Sequence, residues 1–108
     1  MLELLAKVTK EYNEVKERKV ELKIALEGLE IEKYLEWKEE NPKARTAMDK
    51  VIGELKASDE AWQNMEISYE KICLKVSKYG LVIDIVKKLI GNEDYPKDEI
   101  KKFIEEAI

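Results

Sequence analysis

The sequence predicts an all-α chain: a long antiparallel helical hairpin of coiled-coil type, with a short C-terminal helix, oligomerising into a helical bundle. Three observations carry that reading. Apolar residues recur in steps of three and four along most of the 108 residues. Four Gly and two Pro supply too few turns for an all-β or α/β chain of this length. Glu, Lys, Leu and Ala, all strong helix formers, are abundant throughout.

The first helix is expected over about residues 2–40. Leu5, Val8, Tyr12, Val15, Lys19, Leu22, Leu26 and Leu29 form a heptad stripe along it. Lys19 is its one charged member, which sets register or marks an opening in the seam. Val20, Ile24, Ile31 and Leu35 make a second stripe, widened by Tyr34 and Trp37. Together the stripes exceed what one partner helix covers. Gly28 lies inside this broadened region and costs about 1 kcal/mol of helix propensity against Ala. Its presence points to a bend or to the close approach of another backbone.

Asn41–Pro42 is the clearest punctuation, with Asn as N-cap and Pro at the first helical position. A turn at 41–42 and a second helix over about 42–90 follow from it. Ala44, Met48, Val51, Leu55, Ser58, Trp62, Met65, Tyr69, Ile72, Val76, Tyr79, Ile83, Val86 and Ile90 keep one phase along that helix. Ser58–Asp59–Glu60 has the composition of a helix cap. The phase runs straight through it, which favours one helix, irregular near 58 and roughly 70 Å long.

Gly91–Asn92 reads as a stop, and Asp94, Tyr95 and Pro96 as a restart. A short helix over about 96–107 then shows one apolar face of Ile100, Phe103, Ile104, Ala107 and Ile108. Folding at Asn41–Pro42 sets Leu35 near Met48, Leu22 near Trp62 and Leu5 near Tyr79. Residues beyond Gly80 overhang that pairing, and they are apolar on several sides of the helix. Leu81, Val82, Ile83, Val86, Leu89, Ile90, Phe103 and Ile104 are therefore expected to close an interface between copies, in a dimer or a larger assembly. The alternative is a monomer in which the last helix folds back over the overhang.

The residue set points away from catalysis. His is absent, which removes an imidazole base and the usual zinc ligand. The single Cys73 lies in a helical apolar pattern and reads as a packed thiol in a reducing compartment. Glu27, Glu30, Glu32, Glu36, Glu39 and Glu40 crowd the end of the first helix, but no Glu-x-x-His element accompanies them. They read as a solvated face. Asn92, Glu93, Asp94 and Asp98 do not match calcium-loop spacing, and the glycines are isolated rather than phosphate-cradling. No cofactor and no metal are expected. No apolar run reaches the length of a membrane span, and the apolar start is too short for a signal peptide, so the cytoplasm is the expected location.

Charge is more informative. The formal net charge is −4, yet basic residues outnumber acidic ones in the middle segment. Lys71, Lys75 and Lys78 share one helical face, and Lys87 and Lys88 follow. The hairpin brings Lys7 and Lys10 alongside, and an oligomer would multiply the patch into a surface for single-stranded nucleic acid. Arg18 and Arg45 are the only arginines, so such binding would be directed at the phosphate backbone rather than at bases. Trp37, off the clean stripes and near the hairpin tip, is the candidate anchor for a protein partner. The function expected is a non-enzymatic oligomeric accessory, adaptor or inhibitor acting through protein contacts, with a second copy and an unidentified protein as partners. The alternative is an accessory of nucleic-acid transactions working through the lysines.

Overall fold

The computed structural model describes residues 2–91 and 96–107. The expected stop at Asn92, the restart at Asp94–Tyr95, the acidic turn of Asn92, Glu93 and Asp94, and Ile108 lie outside the described residues. The described residues form four α-helices and no strand. They are α1 (Leu2–Glu40), α2 (Met48–Ala57), α3 (Glu60–Ile90) and α4 (Lys97–Ala107). The first and last match the expected boundaries closely.

The expected helix over 42–90 is corrected at two places. It begins at Met48, not at Pro42. The Asn41 side-chain amide and backbone N–H both donate to Trp37 O, at 2.9 and 3.0 Å, and so close the C-terminus of α1. Ala44 N–H donates back to Asn41 O at 3.1 Å, and Lys38 Nζ donates to Ala44 O at 2.7 Å. Asn41 and Lys38 thus satisfy orphan carbonyls around the end of α1, and Asn41–Pro42 starts a turn rather than a helix.

The second correction is the break at Ser58–Asp59. Ser58 and Asp59 N–H close α2 on Leu55 O and Lys56 O. Asp59 Oδ1 accepts from Trp62 N–H at 3.0 Å, an N-cap that opens α3. Gln63 Nε2 reaches back to Lys56 O at 2.8 Å and Ala57 O at 3.1 Å. Local capping therefore wins over helix continuation, while the apolar phase survives the break.

The chain packs as two compact units. The terminal unit holds Met1–Arg18 and Ile72–Ile108, hence the start of α1, most of α3 and all of α4. Its core is Val8 of α1, Tyr79, Val82, Ile83 and Val86 of α3, and Ile100 and Ile104 of α4, with Leu5, Tyr12, Val15, Leu89 and Ile90 packed against them. Leu5 and Tyr79 share this core, as the hairpin pairing predicted. Gly80 lies under the Tyr12 ring, where an added Cβ would sit 3.4 Å from its hydroxyl.

The central unit holds Lys19–Lys71 and packs the rest of α1, α2 and the first turns of α3. Leu26, Ile52 and Trp62 form its buried cluster, with Leu22, Leu29, Tyr34, Leu55, Met65 and Tyr69 against it. Leu22 and Trp62 again fall in one core. Because α2 is a separate helix, it contributes two buried residues, Val51 and Ile52, of which Ile52 is off the sequence stripe.

Candidate functional site

The terminal unit holds the residues of the expected oligomer interface. Val82, Ile83, Val86 and Ile104 are buried in the unit's own core, and Leu89 and Ile90 pack at its edge. Within the chain, α4 packs on this part of the expected interface. Ile100 and Ile104 stand one turn apart on α4, so both reach the apolar sides of α3. Leu81 and Phe103 remain exposed.

Near the other end of α1, in the central unit, a groove of about 360 Å³ runs beside the α2–α3 elbow. Lys33, Glu36, Trp37 and Glu40 of α1 line one wall, and Leu55, Ser58, Asp59, Glu60 and Trp62 line the other. Trp37, the candidate anchor, is half-buried and stacks on Tyr34 with ring centroids 6.1 Å apart. Tyr34 in turn packs on the central core, so Trp37 is held rather than free to swing. Glu36 lies 4.0 Å from Lys33. Lys56 pairs with Glu66 and sits over the Trp62 ring, 5.3 Å from its centroid. Trp62 Nε1 is buried without a hydrogen-bond partner. Sequence reasoning found Trp37 and the acidic wall but missed the groove, because the elbow that forms its second wall arises only from the break at Ser58–Asp59. Gln63, which holds that elbow, carried no signal beyond following a candidate cap.

The second stripe of α1 has no cover. Val20 is 57% exposed, Ile24 64%, Ile31 54% and Leu35 56%, all on one side of the helix. The buried residue Leu26 and the packed Leu22 and Leu29 lie on the opposite side. Gly28 sits within the exposed face, with nothing within 4 Å of where its Cβ would be. On α3, Leu74 and Leu81 are exposed by 72% and 62%.

The candidate lysines are all exposed. Lys7 and Lys10 of α1 and Lys75, Lys78, Lys87 and Lys88 of α3 belong to the terminal unit, and Lys71 to the central unit. None of the seven makes an ion pair among the described residues. Two glutamates that helical spacing offers as partners are engaged elsewhere. Glu11 accepts the Tyr79 hydroxyl at 3.3 Å, and Glu66 holds Lys56. Lys78 and Lys87 point to opposite sides of α3, so the lysines do not make one continuous face. Burial first, then the Glu11 carboxylate, pushes the Tyr79 phenol above its ordinary value.

Among the described residues no group of three acidic or Cys side chains is placed to hold a metal ion. No helix among them is long and apolar enough to cross a membrane. Comparison with family models, with curated proteins and with solved structures finds no match for the chain.

Proposed function

We propose that the chain is a non-enzymatic helical adaptor or accessory protein that works by presenting a helix face to other protein surfaces. The uncovered stripe of α1 carries this reading. Four large aliphatic side chains, each more than half exposed, share one helix face in a chain of which 41% is charged. A contiguous apolar face of that kind marks a protein contact rather than scattered surface leucines. A groove on the opposite side of α1, with Trp37 stacked on Tyr34 and Glu36 and Glu40 along one wall, offers a second surface with an ordered aromatic. A reducing cytoplasm suits the unpaired Cys73.

A photoreactive side chain placed at Ile24 or Ile31 in the living cell tests this reading. The expected result is a covalent adduct to a protein, lost when the remaining stripe residues are changed to Asp. Adducts to water and buffer alone would refute it.

A second reading has its own observation: seven exposed lysines without ion pairs. They suit salt-sensitive contact with the backbone of single-stranded nucleic acid. Fluorescence anisotropy with a labelled oligonucleotide tests it. The double change Lys75→Glu and Lys78→Glu should abolish any binding, and binding that survives would exclude these two lysines from the contact.

A further inference from the structure

We infer that the uncovered face of α1 is a socket for α3 of a second copy of this chain, with Leu74 of that copy seated over Gly28. This rests on the reading of the α1 face as a protein contact and names its occupant. The shape comes first. Gly28 leaves a gap in the stripe, framed by Ile24 one turn before it and Ile31 about one turn after it. No atom outside the helix fills the gap. Leu74 is the most exposed large apolar residue among those described, and Leu81 follows two turns later on the same side of α3. A leucine entering a gap between flanking isoleucines is the knob-into-hole unit of helix pairing.

Charge makes the two faces complementary. The edge of the α1 face beside Gly28 carries Glu21 and Glu32. The corresponding edge beside Leu74 carries Lys75 and Lys78. Two facing helices bring corresponding edges together only when they run antiparallel. In that direction, with Leu74 over Gly28, Lys78 comes level with Ile24 and within reach of Glu21, and Leu81 comes level with Val20 and Glu21. A parallel arrangement would send the lysines to the other edge of α1, where Glu27 and Glu30 stand as well as Lys19 and Lys23, so the exchange of Lys78 and Glu21 is what tells the two directions apart. The socket and the knob are different surfaces, so the contact is heterologous and every copy carries one of each.

That asymmetry makes the test. Gly28→Leu fills the socket on an exposed helix face and also raises helix propensity, so the fold is kept. Leu74→Ser removes the knob at a position with no role in either core. Light scattering on the wild type should give a mass that is a multiple of 12.6 kDa and falls on dilution. Each variant alone should give a mass of one chain, with unchanged far-ultraviolet dichroism. Mixed, the two variants should recover a species of two chains, because one retains the knob and the other the socket. Lys78→Glu should weaken association, and combining it with Glu21→Lys in the mixing partner should restore it.

A wild type of one-chain mass at all concentrations overturns the inference. So does association that persists in both single variants, or a mixture that stays monomeric although the wild type assembles. If self-association fails while photoreactive Ile24 still captures a different protein, the socket has another occupant and the adaptor reading stands. If neither copy nor other protein is captured, both fail.

Discussion

The fold shifts the ionisation of Tyr79. Its ring is in the terminal core, and its hydroxyl donates to Glu11. The neutral phenol is thus favoured in the folded chain, and its pKa is raised above the ordinary 10.0. In the unfolded chain the proton leaves first. The contribution to stability is complete below the unfolded pKa and is lost as pH rises through the folded pKa. Urea unfolding of the wild type and Tyr79→Phe across the alkaline range should therefore show a steeper loss in the wild type, the difference growing above about pH 10. Parallel curves would show that Tyr79 is not the source. Trp62 poses the complementary case. It is 1% exposed, and its indole N–H has no partner. Truncation to Ala should cost about 3–5 kcal/mol. Trp62→Phe gives up less volume and also removes the orphaned donor, so its cost should fall well below that of Ala in the same assay. A loss from Phe as large as that from Ala would mean that the N–H is satisfied in solution.

At the scale of the element, the α2–α3 elbow shows how a short polar sequence overrides a long apolar pattern. The stripe from Val51 through Leu55 to Trp62 and Met65 is unbroken, and it predicted a continuous helix. Asp59 Oδ1 accepts the Trp62 N–H, and Gln63 Nε2 donates to the carbonyls of Lys56 and Ala57. These bonds make an interruption cheap, and the interruption lets α2 lean Ile52 into the central core. Asp59→Ala should then cost about 1 kcal/mol, read by thermal melting. A gain in helical signal with no loss of stability would instead mean that α2 and α3 prefer to fuse. The start of α2 follows the same logic. Asn41 has the composition of an N-cap, yet its amide serves the end of the preceding helix. Sequence spacing shows that a cap residue is present but not which of two neighbouring helices it serves.

At the scale of the whole molecule, two cores share two long helices, since α1 and α3 each contribute to both units. Helical continuity should couple their unfolding. Ile104→Asp places a charge in the terminal core. It should lower the transition seen by dichroism and that seen by tryptophan fluorescence together, although both tryptophans belong to the central unit. Separated transitions would show that the units unfold independently. The same scale bears on the apolar residues beyond Gly80. Val82, Ile83, Val86 and Ile104 were legible as residues that must be buried. That α4 of the same chain packs on them was legible only as the alternative to a second copy, because hydrophobic periodicity names a face without naming its neighbour. The opposite outcome holds for Val20, Ile24, Ile31 and Leu35, an apolar stripe that no helix among the described residues covers.

The sequence alone determined the helical class, the extent of α1 and α4, and the stripe that places Val8, Leu26, Trp62 and Tyr79 inside. Those features depend on propensity and on the 3.6-residue repeat, which are local properties of the chain. Only the folded structure decided where the middle helix breaks, which apolar faces are covered and how the groove beside Trp37 is walled. The break turns on which local hydrogen bonds win at Ser58–Asp59, and the covered faces and the groove on competition between distant segments for the same surface; a single chain's periodicity records neither outcome.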